Sequence, residues 1–599
     1  MRIRSGASPI GISRGVERRV LVYGDHDEII SSDVLRRWLE QRRSDVSGRT
    51  GLDRHAALAS LMIESGRAWQ AIADADFENA DQDRLTPIIE AWSGVCTDLA
   101  RSVLASWESG FVEEQALPAL PRLPPGDLRL RMSEGFAYYA VYPEAYADAA
   151  RRLSLDAPPR VIGIRSIGTT LAAIVAAALD APPAVTVRPF GNPFAREIAV
   201  APSLERELLA GDWHYVMVDE GPGQSGSSFG AVADWLEARG VCRDRIAFLP
   251  SHAGDVGRQS SAAHRQRWRA TQRIAADFGA ELPGLVRRWL EPLIGALGGP
   301  LVDVSGGGWR PLLDPVEAHW PAVVPAWERR KFLATAGGRK FLVKFAGLGV
   351  IGERKLAIAR TLHAAGWTPK PIGLAHGFIV QEWLRDAGRL QSGDTPVGEL
   401  GRYIGTRANL FSAGETDGAS LTDLLVMIRR NASLALGDAV VETANPWEPK
   451  LASMRGRVLR VRTDNRMLRH EWMRSADGRL LKSDALDHHA GHDLIGCQDM
   501  AWDIAGAISE FDLDDGQAEA LIAAAECSAS RPVDRELLSF YRLAYAAFRL
   551  GQLRLGAEMT AWDSAEVQRL NDSGARFEAK LHQILQQRSS GTPLRWSAK

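Results

Sequence analysis

Apolar and polar positions change their rhythm along the chain, and the changes divide it. Arg19–Tyr23 is a short apolar run that reads as a strand, closed by Gly24-Asp25-His26-Asp27, a turn with a helix N-cap. Over residues 33–115 apolar residues recur at mixed three- and four-residue spacing (Leu58, Leu61, Met62, Trp69, Ile72), the pattern of helix. The proline-rich run Leu117–Gly126 breaks that pattern as a linker or surface loop. From about residue 128 to 255 the two periods alternate. Val161–Ile164, Ala184–Arg188, Tyr215–Val218 and Arg245–Leu249 read as strands, and Thr170–Leu179 and Phe229–Arg239 as helices. That rhythm predicts a largely parallel sheet with helices on both faces. Residues 256–292 read as polar helix.

The glycine-rich stretch Gly295–Gly308, with Pro311–Pro315 behind it, is the best domain boundary. Beyond it, Lys331–Leu333 and Lys340–Phe345 flank Gly337-Gly338 as arms of a hairpin. Gly352–Ala365 reads as a helix, and residues 500 to about 586 are again mostly helical. The expected organisation is multidomain α/β and α+β: a mostly helical region at 1–127, a parallel-sheet domain at 128–292, a linker at 293–315 and a further domain at 316–599. A chain of 599 residues is long enough for several cores. With 72 basic and 74 acidic residues its formal net charge is −2, which gives no global attraction to nucleic acid. Its four cysteines, Cys96, Cys242, Cys497 and Cys527, form no CxxC pair, which argues against a disulfide framework or a structural zinc site. No stretch holds the ~18 apolar residues of a membrane span. The expectation is a cytoplasmic protein acting on small molecules, with no nucleic-acid or membrane partner and its oligomeric state open.

Tyr215–Val218 delivers Asp219 and Glu220 to the carboxyl edge of a strand, where ligands bind in open α/β sheets. Gly221–Ser228 follows at once. Its glycines permit close approach, and its amides, serines and the next helix N-terminus suit a phosphate. Two carboxylates able to accept from vicinal hydroxyls beside such a cradle suit a ribose 5-phosphate. The segment resembles the type I phosphoribosyltransferases, whose signature is an apolar strand, two acidic residues, two variable positions and a Thr/Gly-rich phosphate loop. Asp219-Glu220 match the acidic pair and Gly223-Gln224-Ser225-Gly226-Ser227 the loop, with Gly-Gln-Ser where the family usually carries Thr-Thr-Gly. Val161–Thr170, with Arg165, Ser166, Gly168 and Thr169, resembles the family's pyrophosphate loop. The resemblance implies Mg2+, phosphoribosyl pyrophosphate as cosubstrate, catalytic roles for Asp219 and Glu220, and an oxocarbenium-like state stabilised by placed charge. Arg188 and Arg196 fall where a loop would close over the pyrophosphate. The bland alternative is a Ser/Gly turn capping a helix. Tyr138, Tyr139, Tyr142 and Tyr146 read as packing against the sheet, with base stacking as the alternative.

The C-terminal part carries a second constellation. Lys344 ends a hairpin strand and Glu353 opens the next helix, the pairing by which kinase-like folds orient ATP phosphates. Later come Arg462-Thr-Asp464, the turn Asp477-Gly478, then Asp484 and Asp487-His488-His489, and Trp502-Asp503-Ile-Ala. This run resembles the aminoglycoside and choline phosphotransferase branch of the protein-kinase-like fold, and implies a bilobal domain using ATP and Mg2+. The resemblance makes Asp464 the catalytic aspartate, Asp484 or its rival Asp487 the metal ligand, and Asp503 structural. Three features depart from the family: Arg462 stands where a histidine is usual, Arg469 where a metal-binding asparagine is usual, and Thr335-Ala-Gly-Gly338 at the hairpin tip is no convincing glycine-rich nucleotide loop. His470, His488, His489 and His492 lie beside Asp484, Asp487 and Asp493, which suits either a divalent metal or a polar capping loop. The sequence thus supports a two-headed enzyme, phosphoribosyl transfer beside phosphotransfer. The degenerate kinase motif keeps open a nucleotide-sensing regulatory protein that binds without turnover.

Overall fold

The computed structural model describes residues 27–223, 225–257, 260–384, 387–390, 393–438, 447–491 and 495–589. The strand expected at 19–23 and Gly24, Asp25 and His26 lie outside them. The first elements are β1 (Glu28–Ser31), α1 (Ser32–Ser47), α2 (Gly51–Ala80) and α3 (Pro87–Glu108). β1 pairs antiparallel with β2 (Asp127–Leu130), so the proline-rich run before β2 is pinned, with Leu117, Leu120 and Leu123 half-buried against the core. α2 is buried at nearly every position from Arg54 to Asp74. A helix covered on every side must lie in the middle of its neighbours.

Two short helices, α4 (Glu134–Tyr138) and α5 (Pro143–Ala150), lead into the α/β unit. It runs β3 (Pro159–Ile164), α6 (Gly168–Ala178), β4 (Val185–Val187), the hairpin β5 (Phe190–Asn192) and β6 (Ala195–Glu197), and α7 (Pro202–Leu208). It then continues through β7 (His214–Val218), α8 (Ser227–Glu237), β8 (Ile246–Leu249), α9 (Ala262–Ala270) and β9 (Gln272–Arg273). The sheet order is β4-β3-β7-β8-β9, every neighbour parallel. Side chains alternate between faces as strand geometry requires. Val161, Val216 and Val218 join α6, α2 and α3 in one core, while Ile162, Tyr215 and Met217 join Phe229 and Trp268 of α8 and α9 in another. Residues 28–108, set apart from the sheet on sequence grounds, are therefore its covering layer. α2 meets α6 closely at Gly66, where an added Cβ would lie 2.0 Å from Thr170 Oγ1.

After α10 (Leu282–Ile294) the expected linker does not run free. Leu297 bridges to Ala336, and β10 (Val302–Asp303) becomes the edge strand of a second sheet. Two residues flanked by glycines carry no readable strand period, which is why the sequence suggested only a boundary. Past α11 (Arg310–Leu313) the sheet comprises β11 (Lys331–Ala336) and β12 (Arg339–Phe345), then, after α12 (Gly349–Ala364), β13 (Pro371–Ala375) and β14 (Phe378–Glu382). It is antiparallel, in the order β10-β11-β12-β14-β13. Gly337 and Gly338 both take positive φ, as a two-residue hairpin turn demands. A mainly helical half follows, built from α13 (Val397–Leu410), α14 (Leu421–Leu436), the hairpin Trp472–Arg474 with Leu480–Lys482, and four helices between Ala501 and Ser589. Its core gathers Tyr403, Trp472, Trp502, Tyr541 and Phe548. Among the described residues no helix is long and apolar enough to cross a membrane.

Gly66→Ala tests the α2–α6 crossing. On an open helix face alanine stabilises by up to about 1 kcal/mol. Here the Cβ has no room, so the thermal midpoint is expected to fall, with a loss of about 1–3 kcal/mol in chemical denaturation.

Candidate functional site

The chain leaves β3 outward through α6 to β4, then crosses back to β7, so the sheet order reverses between β3 and β7. The carboxyl ends of strands at such a point form a crevice open to ligands. Asp219 and Glu220 stand there, half-buried, at the end of β7. Gly168 starts α6 against that end, where a Cβ would lie 2.5 Å from the Val218 carbonyl oxygen. Burial pushes the Asp219 carboxyl up to about 7, opposed by the Glu220 amide, which donates to it, and by Arg196 and Arg188. Burial, with Glu134 and Asp219 adding repulsion, raises Glu220 to about 8, although the Gly135 amide donates to it. Tyr146 Oη donates to the Asp219 carbonyl at 2.8 Å. Gly223 and Gly226 take positive φ in the loop, and Ser225 and Ser227 donate to the Pro193 carbonyl at 2.8 and 2.7 Å. The β5–β6 hairpin thus sits on the serine hydroxyls expected to hold phosphate. Gln224 lies outside the described residues.

Of the expected pyrophosphate loop, Thr169 is wholly buried and its hydroxyl has no hydrogen-bond partner. Ser166 is half-buried, its carbonyl accepting from the Thr169 amide. Arg165 is committed elsewhere. Its buried guanidinium pairs with Asp83 and lies 3.1 Å from Asp74. Arg188 donates to the same Asp74 through Nε at 2.8 Å, and its backbone amide donates to Asp83. These two arginines lock α2 and its following loop to the sheet. Arg196 acts on Asp219 as well, and more strongly than Arg188 does. Tyr138, Tyr142 and Tyr146 are buried, in keeping with packing rather than stacking on a base.

The second site lines a cavity of about 550 Å³ between the antiparallel sheet and the helical half. Lys344 of β12 reaches Asp484 at 2.6 Å and Asp487 at 3.9 Å. The glutamate expected to hold it is turned away, because Glu353 pairs with Arg42 of α1 at 2.7 Å. From the same helix, α12, it is Lys355 that reaches Asp487, at 2.9 Å, without lining the cavity itself, and Arg329 lies 3.7 Å from the same carboxylate. Burial opposes ionisation of Asp484, but Lys344 and His488 outweigh it and hold the carboxyl well below its usual range. Asp487 is held low in the same way, against burial, by Lys355, Lys344 and Arg329. Burial brings Lys355 down to about 8 despite Asp487.

Asp464 does not open into this cavity. Its carboxylate is fully buried, accepting from Tyr403 Oη and, at 3.2 Å, from Lys482 Nζ. Burial, Lys482 and His488 act on it, and the cations prevail, so it stays ionised well below the ordinary range. Asp503 accepts from the amides of Asp464 and Asn465 at 2.7 and 2.9 Å and so fixes the loop. His488 is the intermediary. Its Nδ1 lies 3.4 Å from Asp464 Oδ1, its Nε2 lies 3.8 Å from Asp484 Oδ1, and the ring lines the cavity. Donor atoms of Asp484, Asp487 and His488 lie within 4.8 Å of one another. His492 and Asp493 lie outside the described residues. Lys482 was missed from the sequence, where a lysine on a two-face hairpin strand has no distinguishing mark.

One element touches both sites. At its start, the Gly135 amide of α4 donates to Glu220. At its end, Tyr138 donates to the Ala490 carbonyl, and Arg329 and Lys355 lie 4.3 and 5.4 Å from its ring centre. Between them the Phe136 carbonyl accepts from the Leu348 amide at 2.9 Å, just beyond β12.

No family model matches the chain, and no curated protein does. Among solved structures it is similar to a choline kinase from Streptococcus pneumoniae, at 18% identity and a TM-score of 0.33, over 43% of this chain and 89% of that one. A putative aminoglycoside phosphotransferase from Ralstonia eutropha gives 14% identity and a TM-score of 0.36, over 51% and 98%. A spectinomycin phosphotransferase solved with ADP and spectinomycin gives 13% and 0.32, over 51% and 98%.

The raised carboxyls of the first site carry a pH signature. In the unfolded chain they ionise near pH 4; in the fold they ionise at about 7 and about 8. The folded state therefore binds more protons across that window, and their contribution to stability falls as pH rises from about 4 to about 8. The doubly substituted Asp219→Asn/Glu220→Gln protein is expected to gain thermal midpoint relative to the parent as pH rises from 5 to 9. A difference independent of pH would show that the two carboxyls ionise normally.

Proposed function

We propose that the chain is a two-site transferase: an ATP- and Mg2+-dependent small-molecule phosphotransferase in its C-terminal half, and a phosphoribosyl pyrophosphate site on its parallel sheet. The observation that carries the first part is the Lys344–Asp484–Asp487 cluster at the mouth of the 550 Å³ cavity. A buried strand lysine and two adjacent carboxylates on the facing lobe suit a triphosphate and its metal. Bound there, Mg2+ would neutralise charge on the phosphate oxygens as the terminal phosphoryl group moves. Asp484 and Asp487 are the residues that would hold it, exchanging contacts with Lys344 and Lys355 for the cation. Lys344 then takes the phosphates.

His488 is the group placed to receive the acceptor hydroxyl's proton, with Asp464 behind it as the orienting carboxylate. The acceptor oxygen bonds to the terminal phosphorus, the bond from that phosphorus to the bridging oxygen breaks, and ADP leaves. On the sheet, Asp219 and Glu220 suit the ribose hydroxyls and residues 221–228 the 5-phosphate, once the serines exchange the Pro193 carbonyl for phosphate oxygens. Lys482 and Tyr403 seal Asp464, and this favours a second reading, in which the C-terminal half binds nucleotide without turnover.

Titration calorimetry with Mg·ATP and an assay of ADP formation over a panel of small-molecule alcohols separate these readings. Asp484→Asn is expected to weaken Mg·ATP binding by about tenfold or more. His488→Asn is expected to leave that affinity within a few-fold and lower turnover by about 100-fold or more. Binding with no ADP formed in the parent protein would favour the sensor, and no binding would sink both. For the sheet site, Mg2+-dependent pyrophosphate release that Asp219→Asn abolishes is the expected outcome, and release unchanged in that variant would remove Asp219 from the chemistry.

A further inference from the structure

Away from both sites, three residues far apart in sequence meet in the interior. His55 of α2 and Glu144 of α5 are fully buried, and His376, at the tip of the β13–β14 hairpin, is 4% exposed. His55 Nε2 lies 2.9 Å and His376 Nε2 3.3 Å from the same oxygen, Glu144 Oε1. The three donor atoms fall within 4.8 Å of one another. We propose that His55, Glu144 and His376 form a structural site for a divalent transition-metal ion, zinc by preference, that fastens the antiparallel sheet to the helical layer.

Four observations support it. First, the Glu144 carboxylate has no lysine or arginine partner among the described residues, only the two imidazoles. A wholly buried carboxylate is costly without a cation. Second, Glu144 Oε2 and His376 Nε2 are buried without hydrogen-bond partners, which leaves donor atoms free at the centre. Third, His55 Nδ1 lies 3.2 Å from Ser106 Oγ. An imidazole held through one nitrogen presents the other to a metal.

The fourth observation is the backbone. His376 and Gly377 form a two-residue turn, both with positive φ (38° and 93°). Such turns prefer Asn-Gly, so a histidine here is explained by its ring, which points inward although hairpin tips are usually wet. Two imidazoles and a carboxylate are a zinc ligand set. Glu144 Oε2 supplies the fourth donor, so no water is needed in a pocket walled by Phe111, Tyr142 and Trp289. With that wall closed, the ion enters as the three segments dock during folding.

The test uses the full chain, purified and dialysed against a chelator. Elemental analysis is expected to find about one equivalent of zinc. The Asp484→Asn/Asp487→Asn protein keeps that equivalent, which separates this site from the proposed nucleotide-metal site. His376→Asn, which serves the turn as well or better, is expected to lose it and to melt at least about 5 °C lower. Refolding with Co2+ should give the visible absorption of a protein-bound ion in the parent and none in His376→Asn. Zinc below about a tenth of an equivalent in the parent, with the same midpoint after refolding in zinc or chelator, overturns the site. Zinc retained in His376→Asn overturns it equally.

Discussion

The burial of α2 on every side is the constraint from which the rest of the molecule is hung. A thirty-residue helix spans about 45 Å, enough to run from one unit to the other. Near its start His55 meets the hairpin tip of the antiparallel sheet. Gly349, which opens α12, approaches so near that a Cβ would lie 2.5 Å from Ser60 Oγ. In its middle Gly66 lets α6 cross at contact distance. Toward its end Asp74 draws Arg165 and Arg188 onto it. No separate linker joins the two sheets mechanically, because one helix is in the core of both: Leu58 and Trp69 share a cluster with Val218 and with Val343 and Val380. A displacement of α2 would be felt at every site described above.

The two sites solve the cost of buried charge in opposite ways. On the parallel sheet the acidic pair is short of cations, since Arg165 and Arg188, which the sequence places nearby, are spent on Asp74 and Asp83. The pair is therefore partly protonated near neutral pH and gains from any ligand that brings donors or a cation. In the cavity the two aspartates have more cations than they need, Lys344, Lys355 and Arg329. A metal entering there must displace an ammonium group, and only a polyanion arriving with it gives those ammonium groups somewhere to go. On the proposed reading, metal without triphosphate would be disfavoured by the protein's own lysines, which would couple the binding of the two.

Much of this was legible where the signal is local. The hairpin at Gly337-Gly338 and the strand that leads into Asp219-Glu220 depend on neighbours within ten residues, and both stand where the local pattern puts them. Partner choice was less legible. Glu353 and Lys355 are two residues apart on one helix and face different ways: Glu353 pairs with Arg42 of α1, eleven helices earlier in the chain, and Lys355 with Asp487. The family resemblance makes Asp464 a catalytic carboxylate, while the lysine that closes it off comes from the next hairpin. The His55–Glu144–His376 cluster has no spacing to read, since its members belong to three elements brought together only by packing.

The placement of α4 follows from these facts and gives them a direction. Five residues cannot make a stable helix alone, so α4 exists because both of its ends are held. One end donates to Glu220 and the other caps the loop that follows Asp487, its Tyr138 ring beneath the two cations that neutralise that aspartate. A ligand that ionises Glu220 strengthens the first contact, because the Gly135 amide bonds better to a carboxylate than to a carboxylic acid. A polyanion that drew Lys355 and Arg329 off Asp487 would loosen the second contact, because the Tyr138 ring would lose the cations it attracts. Each event alters the hold on one end of the same short element. Glu220 and the cations around Asp487 are therefore linked through one short element, α4, without either group reaching the other.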